Sequence, residues 1–428
     1  MKPSILHNEK YGKPVLIGVS LLVWAILGVL FKTYGYEATW RLWGVPTRMP
    51  PFVDFRLIPA SAESFRMGFE PSITNPRDPE KHIFNYPAFW RIFFYTNITQ
   101  ADTIWIVITM LILFFLGAFL FPGQLTVSQA AWMLAILFSP ASMLLYERGN
   151  VDLIVFFLCA MIVVASSYSP YGTGLLIAIG TIIKFFPFFG ITVLLKEQPR
   201  KFWWLFAGCF FVLVAYMLAT ASSVNASWNL TMRGFEISYG ASSLFRRYEL
   251  PLLQWLGQYL PFAWVDSLLR FGPILVGLVV VLTVAVRGLK GSWVLAASDE
   301  RNLAGFRMGA SVYVGTFMLG NNWDYRLAFL VLVIPQLVTW MQFGDGKIRS
   351  AAQLSILGLL LSCWHLIFWN SPVIRSNFAS LETVFILDEL INWVLMASLA
   401  YLLAASLPEW MKSQARSLIP DRLSTRIV

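Results

Sequence analysis

Apolar residues run through this chain in stretches close to the roughly 20 that an α-helix needs to cross a bilayer, with polar residues gathered between them. The first run is Pro14 to Phe31, and a long polar and aromatic stretch, Lys32 to Asp102, follows it. Further runs are Thr103 to Phe121, Gln129 to Tyr146 and Val151 to Ser167. Thr173 to Leu195 reads either as one kinked span or as two short helices meeting at Lys184-Phe185-Phe186-Pro187. The remaining runs are Phe202 to Ser222, Leu268 to Val286, Met308 to Gly320, Leu327 to Phe343, Ala352 to Trp369 and Val384 to Leu407.

Basic residues orient these runs. Lys2, Lys10 and Lys13 precede the first run and place the N-terminus in the cytoplasm by the positive-inside rule. Read as a hairpin, Thr173 to Leu195 also places Lys196, Arg200, Lys201, Arg287, Lys290, Arg301 and Arg307 inside, and removes an isolated charge at Lys184 from mid-membrane. The hairpin gives twelve crossings with both termini cytoplasmic, the tail 408–428 carrying Lys412, Arg416, Arg422 and Arg426. The expected fold is an all-α polytopic membrane protein of one domain, 1–428, in the plasma membrane. Two long extracytoplasmic loops, 32–102 and 223–261, interrupt it. Aromatic residues and prolines in the first loop suggest short interfacial helices.

Composition fits. The chain of 428 residues is 57% hydrophobic and 13% charged, against roughly a quarter charged in soluble proteins. The net charge of +9 comes from span ends and gives no reason to invoke nucleic acid. Cys159, Cys209 and Cys363 lie in apolar runs without metal spacing, and His7, His82 and His365 are scattered. No small-residue cleavage site follows the first run, so it is read as a retained span. Asn97-Ile98-Thr99, Asn225-Ala226-Ser227 and Asn229-Leu230-Thr231 fit the short glycosylation pattern.

The twelve-crossing topology brings chemistry to one face. Asp54, between Val53 and Phe55, lands there with Glu147, Arg148, Asn150 and Asp152, with Lys184, with Arg246, and with Asp324 and Arg326. A carboxylate in an apolar setting can serve as a base. Fixed cations hold a leaving phosphate, and apolar helices give a lipid-linked donor a place to lie. Each residue also has a structural reading: an Arg148 ion pair with Glu147 or Asp152, a snorkelling Lys184, an Asp324–Arg326 pair, a lipid contact at Arg246, and an ordinary loop histidine at His82.

At Asp54-Phe55, Asn85-Tyr86-Pro87, Arg148-Gly149-Asn150-Val151-Asp152, Lys184-Phe185-Phe186-Pro187 and Asn322-Trp323-Asp324-Tyr325-Arg326-Leu327 the chain resembles glycosyltransferase family 87. These are GT-C fold enzymes similar to polyprenol-phosphate-mannose-dependent mannosyltransferases. The resemblance implies Asp54 as catalytic base, and Lys184, Arg326 and Arg148 around the donor phosphate. Asn150, Asp152, Asp324, Tyr86, His82 and Arg246 are further polar site residues. It implies a polyprenyl-phosphate sugar donor, a glycolipid or glycan acceptor, surrounding membrane lipids, inverting displacement and no nucleotide-sugar site. Many GT-C enzymes use a pair of acids or a metal; here Asp54 stands alone, so no metal and no cofactor are expected. The chain departs from the family at Ala241-Ser242-Ser243-Leu244-Phe245-Arg246, where members often carry Asn-Gln-Ser before a basic residue. The rival readings are a flippase for lipid-linked sugars and a surface-polysaccharide polymerase or ligase.

Overall fold

The computed structural model describes residues 9–230, 236–289, 299–370 and 381–417. Residues 1–8, Lys290 and the end of the tail with Arg422 and Arg426 lie outside the described residues, as do Thr231 and the side chains of Ser227 and Asn229 in the glycosylation patterns. The chain is helical almost throughout. Helices α1 (Glu9–Tyr34), α2 (Tyr36–Leu42) and α3 (Val53–Arg66) precede a 3-10 segment, Ala88–Tyr95. Next come α4 (Thr103–Leu120), α5 (Val127–Leu137), α6 (Pro140–Arg148), α7 (Asp152–Ser166) and α8 (Pro170–Ile183), then a second 3-10 segment, Phe186–Lys196. Helices α9 (Pro199–Ala219) and α10 (Ala221–Leu230) lead to strand β1 (Ser238–Tyr239). Then follow α11 (Ser243–Arg247), α12 (Glu249–Leu256), α13 (Phe262–Gly288) and α14 (Glu300–Met318). Strand β2 (Asn322–Trp323), a 3-10 segment Asp324–Val333, α15 (Ile334–Phe343), α16 (Gly346–Asn370), α17 (Leu381–Ala405) and α18 (Glu409–Ser417) complete the described chain.

Among the described residues seven helices are long and apolar enough to cross a membrane, eight if the bent pair α5–α6 counts as one span. Length and composition alone thus support seven or eight of the twelve crossings expected from the sequence. The shortfall has physical causes. Helices α7 and α8 and the segment Phe186–Lys196 are too short, and α14 opens on Glu300-Arg301 and carries Arg307. Short elements persist in such a fold only when neighbouring helices shield their ends, and α7 and α14 are buried along most of their length. The 53° bend after Leu137 follows from Ser139-Pro140: the Ser139 hydroxyl accepts from the Ser142 amide and Pro140 starts a new helix. Residues 300–307 form the start of α14, where Arg307 is buried and donates to the Ser406 carbonyl.

Side-chain pairs show how the middle of the chain travels. Arg301 reaches the hydroxyls of Ser167 and Tyr168, just before α8. Its neighbour Glu300 pairs with Lys196 at 2.5 Å, at the end of the segment after α8. Both ends of 170–196 therefore meet the start of α14, so this stretch runs out and back, with Lys184 at its turn. α3 lies in the first long loop. Its Val53, Phe55, Leu57, Ile58 and Ala60 are buried, and it packs on Ala88–Tyr95 and on α6. Outward faces of α9 and α13, with Trp204, Phe211 and Leu218, and Leu275, Val279 and Leu282, are exposed and apolar, as lipid contact requires.

Candidate active site

Asp54 stands in the first turn of α3. Phe52, before it, adopts left-handed backbone (φ 63, ψ 42), an uncommon conformation for a bulky residue and one that functional sites hold under strain. Facing it, α6 ends at Gly149 with φ 59, and a Cβ there would stand 2.8 Å from the Phe52 Cβ and 2.9 Å from Val107 Cγ2. Glycine is required on both counts. This close approach brings Asn150 to Asp54.

Asn150 Nδ2 donates to Asp54 Oδ2 at 2.7 Å and stands 3.1 Å from the Tyr325 hydroxyl. The Asn150 carbonyl oxygen accepts from the Asp152 amide at 3.0 Å and lies 3.5 Å from Lys184 Nζ. Tyr86 donates its hydroxyl to the Asp54 backbone carbonyl at 3.1 Å. Burial pushes the Asp54 carboxyl above its usual range; Arg148, the Asn150 hydrogen bond, Arg48 and Lys184 pull against that rise.

Asp152 is fully buried and holds two cations. Lys184 Nζ donates to Oδ1, and Arg326 Nε donates to Oδ2 at 3.1 Å. Arg326 Nη1 also donates to Asn322 Oδ1 at 2.5 Å. Both cations lie over the Phe186 ring, at 5.7 and 5.4 Å from its centroid. One carboxylate thus faces two positive charges, and both cationic side chains remain partly exposed, 12% for Lys184 and 20% for Arg326. Asp54, which Asn150 links to Lys184, is the next acid beside this group.

Other expected site residues fall elsewhere. Arg148 pairs with buried Glu147 at 2.7 Å and donates to the Pro46 carbonyl at 3.1 Å. Its donors thus serve the loop as well as the site. His82 is half exposed, with Nδ1 3.3 Å from Glu80, which pairs with Arg48; the Arg48 amide in turn donates to Glu147. Arg246 pairs with Glu249 at 2.7 Å. Asp324 does not pair with Arg326, which corrects that expectation. It points the other way, toward His365 at 3.3 Å, with Asp388 3.7 Å from the same ring. His365, Asp388 and Glu389 had no place in the expected site, although two adjacent acids inside the apolar run from Val384 are the kind of costly intramembrane charge that marks function. Among the described residues no group of three or more His, Cys, Asp or Glu side chains has the geometry to hold a metal ion.

The sequence pattern of glycosyltransferase family 87 matches residues 84–319, more than half of the chain. The chain belongs to glycosyltransferase family 87. It is accordingly a membrane glycosyltransferase with the GT-C-like assignment of that family. No curated protein and no solved structure matches it. The family 87 match takes in Tyr86, Arg148, Asn150, Asp152 and Lys184; it begins after Asp54 and ends before Arg326. The hydrogen bonds of Asn150 and the ion pairs of Asp152 tie those two outlying residues to the matched region.

Proposed function

We propose that this family 87 enzyme moves a sugar from a polyprenyl-monophosphate donor to a hydroxyl of a glycolipid or glycan acceptor, on the extracytoplasmic side of the plasma membrane. Mannose is the sugar that the family resemblance favours. Asp54 takes the proton of the acceptor hydroxyl. The freed oxygen attacks the anomeric carbon from the side opposite the phosphate. The carbon–oxygen bond to the phosphate breaks in the same step, inverting the centre, and the charge on the departing phosphate is held by Lys184 and Arg326.

The observation that supports this reading is Asn150, which touches Asp54 and lies beside Lys184 and Asp152. It sets a base next to a partly neutralised cation pair, the two groups that such a displacement needs. The topology proposed with it counts α7, α8, Phe186–Lys196 and α14 as further crossings, twelve in all, with both termini cytoplasmic.

The test is transfer by purified protein in lipid nanodiscs, supplied with a labelled polyprenyl-monophosphate mannose and a membrane lipid extract as acceptor. The expected product carries an inverted anomeric centre, and Asp54→Asn abolishes it. Transfer from a nucleotide sugar without the lipid donor, or undiminished transfer by Asp54→Asn, overturns the proposal.

A further inference from the structure

The segment 322–326 carries one side of the site. Arg326 reaches Asp152, and Tyr325 shares the Asn150 amide with Asp54. On its backbone side it is held by β1, with Tyr239 opposite Asn322 and the Asp324 amide donating to the Ile237 carbonyl at 3.0 Å. Between these contacts the Asp324 side chain turns toward His365 on α16 and the acids of α17. It is fully buried, and neither carboxylate oxygen has a hydrogen-bond donor. A buried carboxylate without hydrogen bonds persists only against an opposite charge or with a proton of its own.

The His365 ring decides where that proton is. Nδ1 lies 2.6 Å from the Ser362 carbonyl, which can only accept, so Nδ1 carries a hydrogen. Nε2 faces Asp324 Oδ2 at 3.3 Å, and the Glu236 carbonyl also lies against the ring. A neutral ring would turn a bare lone pair toward an ionised carboxylate. One proton must therefore reside on the pair, as imidazolium with carboxylate or as imidazole with carboxylic acid, held by charge since Nε2 and Oδ2 are not aligned as a hydrogen bond. The titratable groups around this pair are Asp388 and Glu389 on α17, Cys363 on α16, Tyr313 on α14 and Tyr239 on β1. Asp388 stands on the Nδ1 side, and Glu389 lies toward Ser243 and Gly240.

We propose that His365 is a positioning residue for the cation pair: the proton it shares with Asp324 anchors segment 322–326, and so keeps Arg326 on Asp152 and Tyr325 beside Asn150. When that proton is lost at alkaline pH, lone pair and carboxylate repel, Asp324 leaves the ring, and Arg326 is displaced. The step from segment to donor rests on the function proposed above; the anchoring of the segment does not.

Two measurements on the full chain in nanodiscs separate these claims. The first is hydrogen-exchange protection of the 322–326 amides, corrected for intrinsic rate, from neutral to alkaline pH. The second is affinity for a sugar-free polyprenyl monophosphate over the same series. In the wild type both fall as pH rises, the affinity by about tenfold, the low end for losing a hydrogen bond to a charged group. His365→Gln supplies an amide donor near the place of Nε2 and does not titrate, so the exchange profile becomes flat and the affinity falls less steeply than in the wild type. Asp324→Asn, whose amide can donate to a neutral ring, flattens the exchange profile as well. Coincident alkaline exchange profiles for wild type and His365→Gln overturn the anchoring. If the wild type binds no polyprenyl monophosphate while the exchange profiles behave as described, the donor reading falls and the anchor stands.

Discussion

Asn150 and Asp54 are joined by a 2.7 Å hydrogen bond in which the amide donates to the carboxylate. That bond aims one Asp54 oxygen at the turn between α6 and α7, and in the proposed reaction the other takes the proton of the acceptor hydroxyl. It also favours the ionised form that a base must keep. Asn150→Leu keeps the volume and removes the bond. Losing a hydrogen bond to a charged group costs about 1.5–3 kcal/mol, so kcat/KM for transfer should drop roughly 10–100-fold. Steady-state rates with fixed donor decide it; a change below twofold would mean that Asp54 is oriented by other contacts.

The pH dependence follows from the same carboxylate. Burial raises its proton affinity, and Arg148, Asn150, Arg48 and Lys184 only oppose that rise. Asp54 must be ionised to act, so activity is lost as pH falls through a pKa above the ordinary carboxylate range. Asn150→Leu removes one lowering influence and should move this acid limb further up. A kcat/KM profile for both proteins checks the sign, and a limb that moves down in the variant contradicts it. Asp54→Asn should reduce transfer by at least about 10²-fold, the lower bound for general-base catalysis, while donor binding stays near wild type.

Lys184 and Arg326 share one acid, so removing that acid and removing a cation have opposite signatures. Lys184→Met should weaken binding of a polyprenyl monophosphate by roughly 10–100-fold. Asp152→Asn leaves two partly buried cations without their carboxylate. Breaking a buried pair costs about 3–5 kcal/mol, so the empty protein should melt at a lower temperature. A bound phosphate replaces the missing charge, so ligand should raise the melting temperature of Asp152→Asn more than that of wild type. Equal ligand shifts in the two proteins would remove the phosphate from this site.

Much of this was legible in the sequence, and the limits are instructive. The apolar runs located the spans, and the positions of Asp54, Lys184 and Arg326 follow from ordinary rules about charges at helix ends. The pairing of those charges was not legible. Asp324 and Arg326 stand two apart on one helical segment and so do not face each other, but that Arg326 meets Asp152 instead depends on the packing of this segment against α7. Asp388 and Glu389 were legible as misplaced acids, but their closeness to His365 depends on the packing of α17 on α16, which no local pattern encodes. The aromatic and charged residues of the first loop mask the apolar face of α3 in its composition. Its Leu57, Ile58 and Ala60 reveal burial only once the 88–95 segment is folded over them.

Gly149 is the tightest point in the site. With φ 59 and Phe52 Cβ 2.8 Å from where a Cβ would stand, Gly149→Ala meets both backbone strain, about 1–2 kcal/mol for an L-residue in that region, and a collision with the residue two before Asp54. Thermal unfolding should show a loss of at least that size. Transfer should also fall in the protein that remains folded, because relief of the collision moves Phe52 and with it Asp54. Full activity with unchanged melting would show that the approach of α3 to α6 is looser than described.

The out-and-back course of 170–196 supports the last prediction. Lys196 meets Glu300 where Arg301 meets Ser167 and Tyr168, so residues 167 and 196 belong to one face and Lys184 to the other. The proposed topology puts the basic residues Lys196, Arg200 and Lys201 with the N-terminus on the cytoplasmic side and Asn97, in the first long loop, outside. Both Arg200 and Asn97 are exposed, and the native cysteines are buried, so an impermeant thiol reagent should meet little background. Cysteine at Asn97 should be labelled in intact cells. Cysteine at Arg200 should be labelled only after the membrane is permeabilised. Labelling at 200 from outside would make 173–195 a single crossing and invert every later loop. Ser242 to Arg247 and Asn322 to Arg326 would then face the cytoplasm, opposite the base that they are proposed to serve.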